Sequence, residues 1–245
     1  MMLLRRITKH VTDQNWFAVF IDFIIVVIGI LIAFQITEWN EKRSEKIRIY
    51  EQLSGFRKEL VLARDDLQSL KAYYQDRVAS VAELRQRLKG QTDFSMTEFN
   101  RLAVSSLRGS GLGISFRAHE EMVTTGSTSK VTNETLKELL YQWDTMLAGI
   151  KSADNILENV RASLIIPVAI QETAFANVFQ ADERYKHLHT TDRFKIGIKD
   201  IRSNRQFDNV MALRQVQAEQ QLNTLMDFID KTEELITALD EEKKL

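Results

Sequence analysis

Asp22 is a carboxylate set inside an apolar run, WFAVFIDFIIVVIGILIAFQITEW, from Trp16 to Trp39. An ionised side chain at depth in a bilayer costs about 3 kcal/mol or more unless water, a proton or a partner relieves it. Asp22 lies roughly 9 Å below Trp16 at about 1.5 Å per residue. Two chemistries suit it: proton handling or helix pairing, and an interfacial carboxylate that snorkels or protonates. Gly29 and Ala33, four apart on the same run, have the small-xxx-small spacing that lets two membrane helices approach closely.

Other residues capable of chemistry make weaker patterns. His187 and His189 sit near Asp182, Glu183 and Asp192, but histidines two apart lack the i, i+4 geometry of helical metal ligands. Only His119 with Glu120 and Glu121 could complete a shell, so solvated loop histidines are expected and no metal. The chain has no Cys, no Gly-x-Ser-x-Gly elbow and no Ser with a base nearby in sequence. Gly109-Ser110-Gly111-Leu112-Gly113 follows a helix and carries no Lys-Ser/Thr, so it reads as a loop and not as a phosphate cradle. No catalytic or cofactor-binding residue is assigned, and an enzyme is not expected. The net charge of −1 gives no electrostatic case for nucleic acid.

The elements that must carry these residues are helices. With 1 Pro and 9 Gly in 245 residues, and 27% charged beside 44% hydrophobic, the composition predicts an all-α chain. Trp16 to Ile36 supplies the roughly 20 apolar residues that about 30 Å of hydrocarbon requires, so residues 16–37 are expected to span a membrane once. Trp16 and Trp39 suit the headgroup layer, and Arg5, Arg6 and Lys9 in the tail 1–15 suit anionic lipid, with Leu3, Leu4, Ile7 and Val11 on one helical face. A buried core helix and a secretory signal are the alternatives. The first fails because the run is apolar all round, the second because the run is long and lacks an A-x-A-like site. Basic residues flank both ends, so charge alone does not orient the span. Long domains translocate largely regardless of charge, which favours a cytoplasmic N-terminus and a periplasmic C-terminal domain at a bacterial inner membrane.

Residues 38–245 then form a helical bundle. Ile49, Leu53, Phe56, Leu60, Ala63, Leu67, Leu70, Tyr74, Arg77, Val81, Leu84 and Leu88 keep a strict four-three spacing in a stalk helix over 38–89, with Arg77 the one charge among them. Unbroken, that helix would extend on the order of 70 Å beyond the bilayer. Further helices are expected over about 95–107 behind a Ser95–Glu98 capping box, over 133–180 with a kink at Pro167, and over 205–242. Leu136 to Leu164 and Ala218 to Leu239 supply the stripes, the second through Leu222, Leu225, Ile229, Thr232 and Ile236. Such stripes must pack on each other as an elongated antiparallel bundle, or on copies of the chain as a parallel coiled coil.

At Gly29 to Arg43, GILIAFQITEWNEKR, the chain resembles an uncharacterised family of bacterial single-pass membrane proteins whose span ends in a similar run. Thr124 to Leu140 and the Phe207-Asp208-Asn209 region resemble it more weakly. The resemblance implies an inner-membrane anchor with a helical extracytoplasmic domain and supplies no catalytic residues. The basic tail and the early Asp in Phe20-Ile21-Asp22-Phe23 also look like the B-type subunits of proton-driven stators, whose external domains are peptidoglycan-binding or small α/β folds instead of helices. The expected function is a membrane-anchored helical scaffold or adaptor acting through protein–protein contact or self-association. Its partners are the lipid bilayer and a copy of itself or another membrane protein. The alternatives are an accessory subunit of a transport or proton-coupled complex that uses Asp22, and a helical ligand sensor. A sensor with about 15 residues of tail would need a cytoplasmic partner, and a pocket near the Pro167 kink is a place for its ligand.

Overall fold

The computed structural model describes residues 16–90, 93–109, 111–187 and 196–242. The tail 1–15, with Arg5, Arg6 and Lys9, lies outside the described residues, as do Ser110, His189 and Asp192. All described elements are helical, and the chain divides into two compact units, residues 1–51 and 52–245.

Helix α1 runs Trp16–Lys89 without a break, ending where Arg87 and Lys89 suit its negative terminus. Its N-terminal part, in the first unit, is long and apolar enough to cross a membrane, and none of the apolar window is buried. The two faces of this part do not differ: Phe23, Ile25 and Phe34 are all exposed.

The second unit is a bundle of α1 from residue 52 with seven further helices: α2 (Met96–Leu107), α3 (Arg117–Thr124), α4 (Glu134–Val160), α5 (Ile166–Glu172), α6 (Phe175–Gln180), α7 (Ile198–Arg202) and α8 (Arg205–Glu242). Local sequence sets the starts. Ser95 caps α2 and Glu98 returns a bond to the Ser95 N–H at 3.0 Å. Asn133 accepts from Leu136 N–H at 3.2 Å, and Asn204 from Phe207 N–H at 2.9 Å. Gly126, with φ of 67°, makes the left-handed turn after α3.

The α1 seam closes on this chain's own helices. Leu53, Phe56, Leu60, Ala63, Leu67, Tyr74, Val81 and Leu84 are buried. Arg57 pairs with Asp240, Arg64 with Glu233 and Arg77 with Gln221, an order that makes α8 antiparallel to α1. Asn133 bonds Glu242, Trp143 bonds Thr232, and Asp154 accepts from Gln221, which sets α4 antiparallel to α8. The bundle geometry therefore uses the stripe that a parallel coiled coil of copies would need.

Two details depart from the periodicity. The helix expected over 133–180 is interrupted. It widens into a π turn over Arg161–Ile165, passes Pro167 at the start of α5, and breaks at Thr173 before α6. Pro167 has no N–H to donate and its ring crowds the preceding turn, and a π turn just upstream absorbs both. The extra residue in that turn shifts the register by one, so Ile165 is fully buried while Leu164, on the expected stripe, is exposed. On α8 the expected Ala218, Leu225, Ile229, Thr232, Ile236 and Leu239 are buried, Leu222 is only half-buried, and the buried face also takes in Phe207, Met211, Arg214, Gln217, Gln221, Phe228 and Leu235.

Candidate functional site

Two apolar clusters occupy the bundle. At one end Trp143, fully buried, meets the rings of Phe56, Phe116, His119 and Phe228 with centroids 4.9 to 5.3 Å apart, and its Nε1 donates to Thr232 Oγ1 at 2.9 Å. At the other end Leu84, Phe99, Phe207 and Met211 belong to a second buried cluster with Ile165 and Ala169. Between them, on α1 and α8, the seam turns polar: Arg77 and Arg214 are each 1% exposed, with Gln217 and Gln221 also buried.

Arg77, Arg214 and Gln221 are held by their surroundings. The Arg77 guanidinium lies 4.5 Å from the ring centroid of Tyr74 and 5.2 Å from that of Tyr73, and Nη1 donates to Gln221 Oε1 at 2.8 Å. Gln221 Nε2 in turn donates to Asp154 Oδ1 at 3.1 Å, and Asp154 Oδ2 accepts the Leu112 N–H at 2.7 Å. That last bond ties the glycine-rich loop to α4. Arg214 Nε donates to the Ser106 carbonyl at 2.8 Å and its Nη2 to the Arg108 carbonyl. Arg161 Nη1 reaches the Leu107 carbonyl at 3.4 Å. Carbonyls at the end of a helix have no partner within it and carry its negative pole, so two guanidiniums cap α2. Burial, with Arg77 and Arg161 nearby, still pushes the Arg214 guanidinium down to about 9.

Beside this layer opens a cleft of about 590 Å³ walled by α2, α4, the π turn, α6 and residues 182–185. Arg108, Arg161 and Arg184 line it with Asp154, Glu158 and Asp182, and Leu107, Val178, Phe179 and Tyr185 supply apolar surface. Asp182, whose side chain is 2% exposed, accepts from Arg108 at 2.8 Å and from Arg184 at 2.7 Å. The bonds from Arg184, then those from Arg108, hold its carboxyl well below the usual carboxylate range despite burial. Glu158 pairs with Arg161. Phe179 stacks edge-on with Phe175 and Tyr185, centroids 4.8 and 5.4 Å away. A cleft of this size and mixed lining can hold a small molecule. Guanidiniums in such a wall can donate hydrogen bonds to polar or anionic groups.

The residues singled out in the sequence are placed as follows. Asp22, Gly29, Ala33 and Trp39 are exposed on α1; no side chain approaches Gly29, and the Arg43 guanidinium lies 5.6 Å from the Trp39 ring. Trp16 begins α1. His187 is exposed, and among the described residues no group of His, Cys, Asp or Glu is arranged to hold a metal. His119 sits in the aromatic cluster with Nε2 3.3 Å from Asp144. The cleft lies beside the π turn that precedes Pro167. Arg77 stood out in the sequence as the lone charge on its seam. Arg214 and Gln221 were legible only by carrying the four-three count back from Leu225 through polar positions.

The chain matches no family model, no curated protein and no solved structure.

Proposed function

We propose that this protein is a single-pass membrane protein whose helical domain works by binding, as a scaffold or adaptor on the periplasmic side of a bacterial inner membrane. One observation carries the reading: the apolar part of α1 has no buried residue in its most apolar window, while the same helix further on gives its seam to the bundle. Apolar surface of that extent in water costs about 25 cal/mol per Å², and a bilayer removes the cost. The bundle satisfies its own stripes, so contact with a partner falls to its outer surface, where Leu62, Ile156 and Val216 are exposed. The four-residue spacing of Gly29 and Ala33 on α1 suits self-association within the membrane. Asp22 is the costly residue in that segment, and a partner helix is the adaptor reading's natural relief for it.

The chain contains no cysteine, which makes the test direct. Thr12→Cys and Glu241→Cys, each made singly, are exposed to a membrane-impermeant maleimide on spheroplasts. Glu241→Cys should label and Thr12→Cys should label only after lysis, with the chain resisting alkaline extraction. Release by alkali, or labelling in the reverse pattern, would remove the reading. A photo-crosslinking residue at position 62 should give one discrete adduct; none at any of positions 62, 156 and 216 would count against an adaptor.

A further inference from the structure

The outer side of the α4–α8 contact is apolar and carries no charge near the π turn. The two helices run antiparallel in one register, with Asn133 opposite Glu242, Trp143 opposite Thr232 and Asp154 opposite Gln221. Lys231 Nζ donates to Gln142 Oε1 at 3.2 Å across the outside of that contact. Five turns of about 3.6 residues toward the π turn, the same outer line sets Val160 of α4 against Leu213 of α8. Ile156 and Val216 stand beside them, 60% and 62% exposed, and Leu164, one turn beyond Val160, is 53% exposed.

The charged residues of both stretches face elsewhere. Between Thr145 and Leu164, Asp154, Glu158 and Arg161 line the cleft on the far side of α4, and Lys151 lies on the His119 side. Between Gln206 and Thr224, Asp208 faces Arg85 of α1, Glu219 accepts from Gln215, which Arg85 also holds, and Arg214 is buried. The polar groups left at the edge of the patch are uncharged amides, Asn159, Asn209 and Gln220, which both donate and accept hydrogen bonds. In a chain of which 27% is charged, an exposed apolar face without a charge marks a contact surface.

We propose that this face packs against the same face of a second copy of the chain, a partner identity that rests on the membrane-anchored adaptor reading. A face set about a two-fold axis meets its own groups again, so a charged one repels itself, whereas apolar side chains and amides are complementary to themselves. A patch about 20 Å long on two helices each about 10 Å across is on the order of 400 Å². That is half of the roughly 800 Å² per partner of a standard stable interface, so the pair depends on the effective concentration that a shared membrane provides.

The experiment places a photo-crosslinking residue at position 156 or 216 of the full chain, expresses two differently tagged copies together, and irradiates the membranes. Both positions should give an adduct of twice the chain's mass that carries both tags, while position 123, an exposed valine on α3, should not. Val216→Lys, which puts an ammonium into the apolar contact, should cut the position-156 adduct about tenfold with the melting midpoint preserved, and Val123→Lys should leave it unchanged. No two-tag adduct from either position, or one undiminished by Val216→Lys, would overturn the proposal. Adducts to another protein alone would overturn it too, while leaving the adaptor reading in place. Alkaline release or reversed maleimide labelling instead defeats the anchor, whatever positions 156 and 216 contact.

Discussion

Arg214 on α8 donates through Nε to the main-chain carbonyl of Ser106, 2.8 Å away and 108 residues earlier in the chain. A helix terminus and a buried charge thus answer each other, the helix supplying negative dipole ends and the arginine supplying donors.

Arg214→Met should therefore destabilise the bundle even though it removes a buried charge. The carbonyls of Ser106 and Arg108 would lose their donor inside the protein, at a cost of about 1–3 kcal/mol. Relief of the repulsion from Arg77 offsets part of that. Denaturant titration of the full chain in detergent, read by far-UV circular dichroism, measures it, and a variant as stable as the parent would show that the α2 end finds another partner.

Trp143→Phe keeps most of the aromatic contact and loses the bond to Thr232. A loss of about 1–2 kcal/mol is expected, against about 3–5 kcal/mol for Trp143→Ala, which also leaves a cavity where Phe56, Phe116 and Phe228 converge. Thermal melts of the two variants separate the terms. Near-equal losses would mean that the ring contributes little beyond its N–H.

Burial holds His119 below its ordinary value of 6.5, with Lys151 adding to the shift and Asp144, Glu120 and Glu59 opposing it. The unfolded chain then binds a proton on His119 at a higher pH than the folded chain does. Stability should accordingly be unaffected by this group above about pH 6.5 and fall as pH drops below it, until the folded state also protonates. His119→Phe should flatten that part of the stability–pH curve. An unchanged slope between the parent and the variant would exclude His119 as its source.

Asp182 is shifted downward as well, here because its partners favour the charged form and not because burial disfavours it. Its carboxyl is held low by Arg184 and Arg108, so its contribution is complete above the ordinary carboxylate value of 3.8 and is lost as pH falls further. Asp182→Asn should cost about 1–3 kcal/mol near neutrality, discounted because both arginines are partly exposed, and should leave less acid sensitivity. Acid titrations followed by circular dichroism compare the two chains.

The apolar run and the helical periodicities were legible in the sequence because both are local. The mostly apolar run from Trp16 to Ile36 is long enough for a membrane span whatever surrounds it, and the capping box at Ser95 and Glu98 closes within one turn. The α1 seam, Arg77 included, was readable for the same reason. Tertiary structure decided which surface receives that seam, because a four-three stripe suits a copy of itself as well as α4 and α8. It also decided the one-residue shift at Arg161–Ile165 that exposes Leu164, since a π turn forms in answer to Pro167 and its packing and leaves no periodic mark beforehand. The cleft and its arginines were least legible of all. Arg108, Asp182 and Arg214 meet across 74 and 106 residues of chain, and a buried arginine reads in sequence like any exposed one until its distant carbonyls and carboxylates are in place.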